Sequence, residues 1–337
     1  MSSVKLPLKL HLLFSLDYFL TKACRRSNGT VNRRLHNLFD LKTSPSKTPR
    51  KGVSTSDTII NSSTNLWFRL YTPHSTNNEE KRNLPIIIYF HGGGFAFFSA
   101  SSIVYDIWCR RLSNELQAVI FSVNYCLAPE HKFPSQYEDG FEALKFLDEN
   151  FDRLSINANS GLCFLAGDSA GGNLAHHVSV KAGELTFSKL KIIGLIAIQP
   201  FFGGEERTEA DFLHSKAPIM TLHFTDWYWK MFFPDGSDRD HPAANVFGYK
   251  SSTDISQVEF PETLLLTGGF DMLKNWQRRY YEGLKKAGKK VNLVEYPKAF
   301  HGSYIFKEFP GYPLFIKDIR EFLEKQTKKK LSEMWLD

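Results

Sequence analysis

Six short runs of apolar residues recur along the sequence, and most are apolar at every position rather than at alternate positions. They cover residues 85–90, 118–123, 162–166, 192–198, 263–266 and 291–295. Strands that are apolar on both faces are typical of a parallel sheet buried between two layers of helices. The pattern therefore predicts a sheet whose strands are mostly parallel.

Helical patterns fill several of the intervals between these runs, at residues 137–150, 171–182, 272–287 and 313–325. A strand, a helix and another strand in repetition require crossover connections, which place helices on both faces of a sheet. Residues 66–71 predict a further strand, in which the charged Arg69 lies at one of the polar positions of the alternating pattern. We therefore expect an α/β fold with a mostly parallel central sheet flanked by helices.

The composition changes at both ends of this repeating region. Residues 1–40 contain an apolar stretch with helical spacing, and residues 41–58 are rich in Ser, Thr, Pro and Lys and predict a linker. The main domain is expected to span 59–330, followed by a tail at 331–337. An aromatic-rich insertion at 203–250 interrupts the alternation of predicted strands and helices. It fits a lid over the carboxyl ends of the strands or, equally, an ordinary packed subdomain.

Composition excludes several classes of protein. Hydrophobic residues make up 42% and charged residues 23% of the chain, which excludes a disordered protein. The net charge of +6 comes largely from basic ends without a nucleic-acid-binding module, so no nucleic acid partner is expected. The four cysteines lack metal-binding spacing, and no apolar run is long enough to span a bilayer. We expect no metal, no membrane span and no signal peptide, with a location in the cytoplasm or additionally the nucleus.

A Gly-x-Ser-x-Gly motif joins the run at 162–166 to the helix pattern that follows it. It consists of Gly167, Asp168, Ser169, Ala170 and Gly171. A sharp turn from strand to helix exposes the serine hydroxyl, and the flanking glycines prevent collisions across the turn. The motif identifies Ser169 as the candidate nucleophile, and Asp168 is expected to support the structure of the turn.

A second motif, His91-Gly92-Gly93-Gly94, directly follows the run at 85–90. Successive glycines let the backbone approach a substrate and direct amide groups towards it, as in the oxyanion holes of lipases and esterases. Such a hole combines loop amides with the amide of the residue after the nucleophile. The expected donors are the amides of Gly93, Gly94 and Ala170, with His91 and Gly92 supporting the loop.

A serine nucleophile needs a general base and a carboxylate that orients it. On this type of fold the chain order is Ser, then Asp or Glu, then His. His301 follows the last predicted strand by a short loop, and Asp271 follows the strand at 263–266. We therefore predict a Ser169, His301 and Asp271 triad, in preference to the histidines within helices or the insertion and to Asp254 or Glu295.

Together, four motifs resemble plant carboxylesterases of the hormone-sensitive-lipase-like group, within the α/β-hydrolase fold. The motifs occupy residues 91–95, 124–130, 167–173 and 300–302, and the likeness extends from about residue 20 to 326. Two supporting positions depart from the group, which commonly has Arg at Cys126 and Asp-Pro-Leu-x-Asp at 271–275. The resemblance implies hydrolysis of small-molecule carboxylic esters without a cofactor, and an N-terminal lid formed by residues 1–40.

Two relatives of that group have other roles. Gibberellin receptors share the fold but lack the triad histidine, whereas His301 is present here. Plant dehydratases use a similar site to eliminate water, so a lyase or a binding protein stays the alternative to a serine esterase. Several phenylalanines near the expected site could form an apolar substrate pocket that favours small acyl groups or aromatic alcohols: Phe95, Phe98, Phe201 and Phe202.

Overall fold

A computed structural model describes residues 8–26, 29–74, 83–154, 156–213, 220–251 and 253–334. Its centre is a sheet whose eight strands lie in the order β1-β2-β4-β3-β5-β6-β7-β8. Strands β3 to β8 run parallel, while β2 pairs antiparallel with both β1 and β4. The strands are β1 Val53–Asn61, β2 Leu66–Pro73, β3 Leu84–Phe90, β4 Val119–Asn124, β5 Ala158–Asp168, β6 Ile192–Ile198, β7 Thr263–Gly268 and β8 Val291–Tyr296.

Helices cover both faces of this sheet, so the predicted α/β-hydrolase architecture is confirmed. Apolar side chains of the central strands are buried on both sides, in clusters shared with α4 and α5 on one face and α3 and α9 on the other. The helices are α1 Leu8–Cys24, α2 Arg33–Phe39, α3 Ile103–Leu116, α4 Ser135–Asn150, α5 Ala170–Ala182, α6 Glu209–Leu213, α7 Leu222–Phe232, α8 Lys274–Lys286 and α9 Tyr312–Met334.

The parallel strands place the predicted functional residues at one edge of the sheet. The carboxyl ends of β3, β5, β7 and β8 lead into the loops that carry Gly93, Ser169, Asp271 and His301. Carboxyl ends of parallel strands meet at the same edge, which is where open α/β sheets bind their ligands. The order of the strands therefore gathers residues from four distant parts of the chain.

The structure differs from the sequence prediction at the linker, at one helix that was not predicted and at the tail. Residues 53–58 of the expected linker belong to β1, because that segment pairs with β2 from Val53 to Asn61 and closes the edge of the sheet. The sequence analysis did not identify α3. Helix α9 continues to Met334, so the expected tail at 331–337 begins as helix, and residues 335–337 lie outside the described residues.

The N-terminal segment packs against the aromatic insertion. Tyr18 of α1 contacts the ring of Phe224 in α7, with 4.9 Å between centroids. The Arg25 guanidinium lies over the Trp227 ring at 4.6 Å and hydrogen-bonds His223 at 3.1 Å. Residues 1–7 and 214–219 lie outside the described part. The predicted helical segment therefore contacts the insertion through Tyr18 and Arg25.

Across the described ranges, no helix is both long enough and apolar enough to cross a membrane. The compartment expected from the sequence stays a prediction.

Candidate active site

Ser169 lies at the turn between β5 and α5 in a backbone conformation that L residues rarely adopt. Its φ is +50° and its ψ is −119°. A Cβ on Gly171 would lie 1.9 Å from the carbonyl oxygen of Phe90, so this position accepts only glycine. The Ser169 amide donates a hydrogen bond to the Ile198 carbonyl at 2.9 Å. Neighbouring strands thus hold the strained turn that presents the hydroxyl.

The structure brings the three predicted triad residues together. His301 Nε2 lies 3.0 Å from Ser169 Oγ, and His301 Nδ1 lies 3.0 Å from Asp271 Oδ2. The fully buried Asp271 carboxylate also accepts hydrogen bonds from the Leu273 amide at 2.9 Å and from Gln277 Nε2 at 3.0 Å. A proton on Nδ1 facing Asp271 leaves Nε2 as the acceptor for the serine hydroxyl.

The glycine loop after β3 runs beside the nucleophile turn. Its first amide, that of Gly92, donates to Tyr105 Oη at 2.8 Å and to Asp168 Oδ1 at 3.1 Å. Gly94 has a φ of +62°, and a Cβ there would lie 2.3 Å from Cδ1 of Tyr228 in α7. Glycine at this position therefore lets the insertion helix close directly over the loop.

Asp168 supports the turn, the glycine loop and the histidine loop at once. Its buried carboxylate accepts hydrogen bonds from the hydroxyls of Tyr89 at 2.6 Å, Tyr105 at 2.9 Å and Tyr304 at 2.5 Å. Burial raises the pKa of Asp168, and the three tyrosine donors oppose that shift by stabilising the charged form. The predicted supporting role of Asp168 thus has a physical basis in these contacts.

His91 is a buried, neutral residue at the start of the glycine loop. Burial lowers its pKa to about 4. Nδ1 lies 2.8 Å from the Gly92 carbonyl, and the ring stacks on Tyr125 at 4.3 Å. The Tyr125 hydroxyl donates to the His91 carbonyl at 2.6 Å. These contacts fix the direction in which the loop leaves β3.

Two of the four phenylalanines expected in a pocket are packed against the insertion. Phe95 stacks on Phe232 with 4.0 Å between centroids, and Phe201 stacks on Trp229 at 4.1 Å. Both rings are fully buried. Their contact with α7 connects the glycine loop and the end of β6 to the insertion.

The other two phenylalanines differ from each other in position. Phe98 is half-buried and lies edge-on to Tyr105 at 5.7 Å. Phe202 stacks on Tyr280 of α8 at 4.3 Å and packs beside His176. Phe202 therefore packs in the core beneath α8, whereas Phe201, which precedes it in the chain, packs against α7.

Sequence reasoning missed the polar residues that support the site. Gln199 carried a signal, because it is polar and directly follows an apolar strand at the carboxyl edge, as Ser169 does. The supporting tyrosines carried none, because they sit within apolar patterns that any core could produce. The missed residues are Tyr89, Tyr105, Gln199, Gln277 and Tyr304.

Comparisons with known proteins bear on the family and the fold of this chain. Residues 87–305 match a family described by the alpha/beta hydrolase fold. A gibberellin receptor of Arabidopsis thaliana is 37% identical, over 97% of this chain and 97% of its own length. A probable carboxylesterase of the same plant is 38% identical, over 76% of each chain. Among solved structures, the esterase of the archaeon Pyrobaculum calidifontis is 26% identical with a TM-score of 0.72, over 96% of this chain and 99% of its own.

Proposed function

The chain belongs to the alpha/beta hydrolase fold family, and we propose that it is a serine carboxylesterase that uses Ser169, His301 and Asp271. The observation that carries this proposal is the unbroken series of contacts from Ser169 Oγ to His301 and on to Asp271, each 3.0 Å long. That arrangement serves a nucleophile, a general base and a group that orients the base.

Acylation starts with the attack of Ser169 Oγ on the ester carbonyl carbon. His301 Nε2 takes the hydroxyl proton, and the Asp271 carboxylate stabilises the resulting imidazolium through Nδ1. The carbonyl oxygen becomes an oxyanion in the tetrahedral intermediate. When that intermediate collapses, the carbon–oxygen bond to the alcohol breaks, and His301 gives its proton to the departing alkoxide. Ser169 then carries the acyl group.

Deacylation repeats these steps with water as the nucleophile. His301 takes a proton from water, the hydroxide attacks the acyl carbon, and collapse of the second intermediate returns the proton to Ser169 Oγ. The products are a carboxylic acid and the free enzyme. No cofactor takes part, because each proton that leaves one oxygen returns to another through the same imidazole.

The oxyanion is stabilised by the amides of Gly93, Gly94 and Ala170 in this proposal. The Gly92 amide already donates to Tyr105 and Asp168, which leaves the following loop amides for the substrate. Ala170 begins α5, and the first amides of a helix have no partner within it. Loss of one such donor typically lowers the rate about 10²- to 10³-fold.

We propose small esters with apolar or aromatic groups as the substrates. Ser169 and His301 are only 5% and 6% exposed. The glycine loop beside them is covered by Tyr228, whose ring packs against Phe97 and Phe201. A substrate must displace part of this aromatic cover to enter, and an apolar group replaces such contacts at the lowest cost.

A binding protein is the second candidate, favoured by the similarity to a gibberellin receptor over nearly the whole chain. A receptor requires a closed apolar site but no general base. His301 within 3.0 Å of both partners is a feature that binding alone does not require. It therefore favours hydrolysis over binding.

The decisive assay is hydrolysis of p-nitrophenyl acetate and p-nitrophenyl butyrate by the purified protein, beside Ser169→Ala and His301→Ala. We expect turnover by the wild type and a loss of at least about 10³-fold in each variant, because the triad acts as a unit. Melting temperatures serve as the control for folding. Equal turnover by wild type and Ser169→Ala would refute the proposal, and a folded, inactive wild type would favour the binding protein.

A further inference from the structure

Gln199 is a buried polar residue immediately after β6, between the strands that lead to Ser169 and Asp271. None of its surface is exposed. Its backbone has a φ of +43°, a left-handed conformation that costs free energy for any residue other than glycine. Strain of this kind persists where surrounding contacts enforce it, and it concentrates at functional sites.

The Gln199 side chain holds the backbone on both sides of the histidine. Its Nε2 donates to the Phe300 carbonyl at 3.0 Å, and its Oε1 accepts from the Gly302 amide at 2.8 Å. A carbonyl only accepts and an amide N–H only donates, so these partners fix the orientation of the side-chain amide. The residue between the two partners is His301.

The same short segment also holds the nucleophile. The Ile198 carbonyl accepts from the Ser169 amide at 2.9 Å, and the Phe201 amide donates to the Ser169 carbonyl at 2.8 Å. Gln199 therefore lies in a segment that fixes the backbone of Ser169 through main-chain bonds and the loop around His301 through its side chain.

The neighbouring strand leaves room for this side chain. A Cβ on Gly268, the last residue of β7, would lie 2.6 Å from Gln199 Nε2. Thr267, the residue before Gly268 in β7, carries a side chain. The side-chain amide of Gln199 passes β7 at Gly268, where no side chain is present. The absence of a side chain there lets the amide reach the histidine loop.

We propose that Gln199 is a positioning residue that sets the distance and direction between His301 Nε2 and Ser169 Oγ. It touches no reacting atom and acts through the loop that carries the base. The inference rests on the proposed esterase function, since a position for a general base matters only where one is used. A displacement of about 1 Å at a catalytic group can lower a rate about 10²-fold.

The test replaces the amide and keeps the length of the side chain. Gln199→Met removes both hydrogen bonds, and Gln199→Glu keeps the acceptor for Gly302 while placing an oxygen against the Phe300 carbonyl. The matched control is Gln136→Met, because Gln136 is also fully buried and donates to a carbonyl, that of His131, in the region of α4. All three proteins are compared with wild type for kcat, KM and melting temperature.

A second readout does not depend on ester turnover. The proton between His301 Nδ1 and Asp271 gives a far-downfield proton resonance when that hydrogen bond is ordered. We expect this resonance to shift or broaden in Gln199→Met and to stay unchanged in Gln136→Met. If wild type hydrolyses no ester, the resonance still tests the positioning role, so failure of the esterase proposal and failure of this inference are separated.

We expect kcat to fall about 10- to 100-fold in Gln199→Met with KM within about two-fold of wild type. Gln199→Glu should lose at least as much kcat as Gln199→Met, because its buried carboxylate faces the Phe300 carbonyl although it keeps the contact with Gly302. A Gln199→Met protein with wild-type kcat and an unchanged resonance would overturn the inference. Equal losses of kcat in Gln199→Met and Gln136→Met would overturn it too, because they would indicate general destabilisation. If Gln199→Met fails to fold, the same comparisons are decided with Gln199→Glu.

Discussion

Single residues in left-handed backbone conformations mark the carboxyl ends of adjacent strands in this protein. Ser169 follows β5 with a φ of +50°, and Gln199 follows β6 with a φ of +43°. Neither is glycine, so each conformation is held by its surroundings at a cost in free energy. One presents a hydroxyl and the other fixes the loop of the histidine beside it. The strain therefore lies where the proposed chemistry needs fixed positions.

Gly94 offers a test at the same scale. Gly94→Ala adds a Cβ that would lie 2.3 Å from the Tyr228 ring and requires a φ of +62°. The loop or the ring must move, so we expect ester turnover to fall about 10²- to 10³-fold as the oxyanion donors lose alignment. The measurement is kcat for p-nitrophenyl acetate.

The control separates the collision from backbone strain. Gly288→Ala introduces a Cβ at a φ of +73°, where no atom lies within 4 Å, and should keep wild-type turnover. Adding Tyr228→Ala to Gly94→Ala removes the collision. The double variant should turn over ester about 10-fold faster than Gly94→Ala alone, a gain within the range of coupling energies between residues in contact. Full activity of Gly94→Ala alone would contradict the described closure of α7 over the loop.

The sequence predicted the triad residues because each lies in the turn or short loop after a strand. Position after a strand is visible in the apolar pattern, and parallel strands bring such positions to one edge. The direction of a side chain is not visible in this way. Phe201 and Phe202 are adjacent and chemically identical, yet one stacks on Trp229 of the insertion and the other on Tyr280 of α8. Only the packed structure distinguishes them.

At the scale of elements, the N-terminal segment is fastened to the loops of the site by Arg33. This guanidinium donates to Glu130 through Nε at 3.0 Å, to the Ala128 carbonyl at 2.6 Å, and to the Ala96 carbonyl. Ala96 lies just after the glycine loop and donates its amide to the Gly93 carbonyl at 3.1 Å. The Arg33 side chain thus connects α2 with two loops that lie far away in the sequence, one of which contains the candidate oxyanion hole.

Replacing this arginine should loosen α2, which begins at Arg33. In Arg33→Met, the lost hydrogen bonds should lower the local opening free energy by about 1–2 kcal/mol, after allowance for partial exposure of the pair. Amides in residues 33–39 should then exchange about 5- to 30-fold faster. Hydrogen–deuterium exchange followed by mass spectrometry measures this directly.

The adjacent Arg34 provides the matched control, because its side chain is exposed. Met and Arg have similar helix propensities, so neither substitution weakens α2 by itself. Arg34→Met should leave exchange unchanged. The same acceleration in both variants would show that Arg33 does not fasten the segment.

Helix α3 and strand β1 were not predicted from the sequence, and the cause is physical in each case. Helix α3 buries Asp106 and Arg110, which form an ion pair at 2.7 Å and break the apolar pattern expected of a core helix. Strand β1 is an edge strand: Ser and Thr fill most of its first half, and its second half, from Asp57 to Asn61, alternates between exposed and half-buried residues. Neither element therefore shows the continuous apolar run by which the other strands were predicted, or the apolar stripe of a core helix.

At the scale of the whole molecule, the sheet brings the proposed triad residues to one edge, and α1 and α7 contact each other beside it. The fold is shared with esterases and with a gibberellin receptor, so architecture alone does not determine the activity. In this chain His301, in the loop after β8, lies 3.0 Å from both Ser169 and Asp271, and this contact is the feature on which the proposal of hydrolysis rests.

The proposed mechanism requires that Ser169 is an activated nucleophile. The most direct measurement is the reaction of the purified protein with diisopropyl fluorophosphate, followed by mass spectrometry of its peptides. This small reagent phosphorylates an activated serine and releases fluoride, without any requirement for the natural substrate. It is applied to wild type, Ser169→Ala and His301→Gln.

We predict one phosphoryl adduct on the peptide that contains Ser169 in the wild type and none in Ser169→Ala. Modification of His301→Gln should be at least about 10²-fold slower, since a general base contributes that much or more. A folded wild type that stays unmodified, or a His301→Gln protein that reacts at the wild-type rate, would contradict the account.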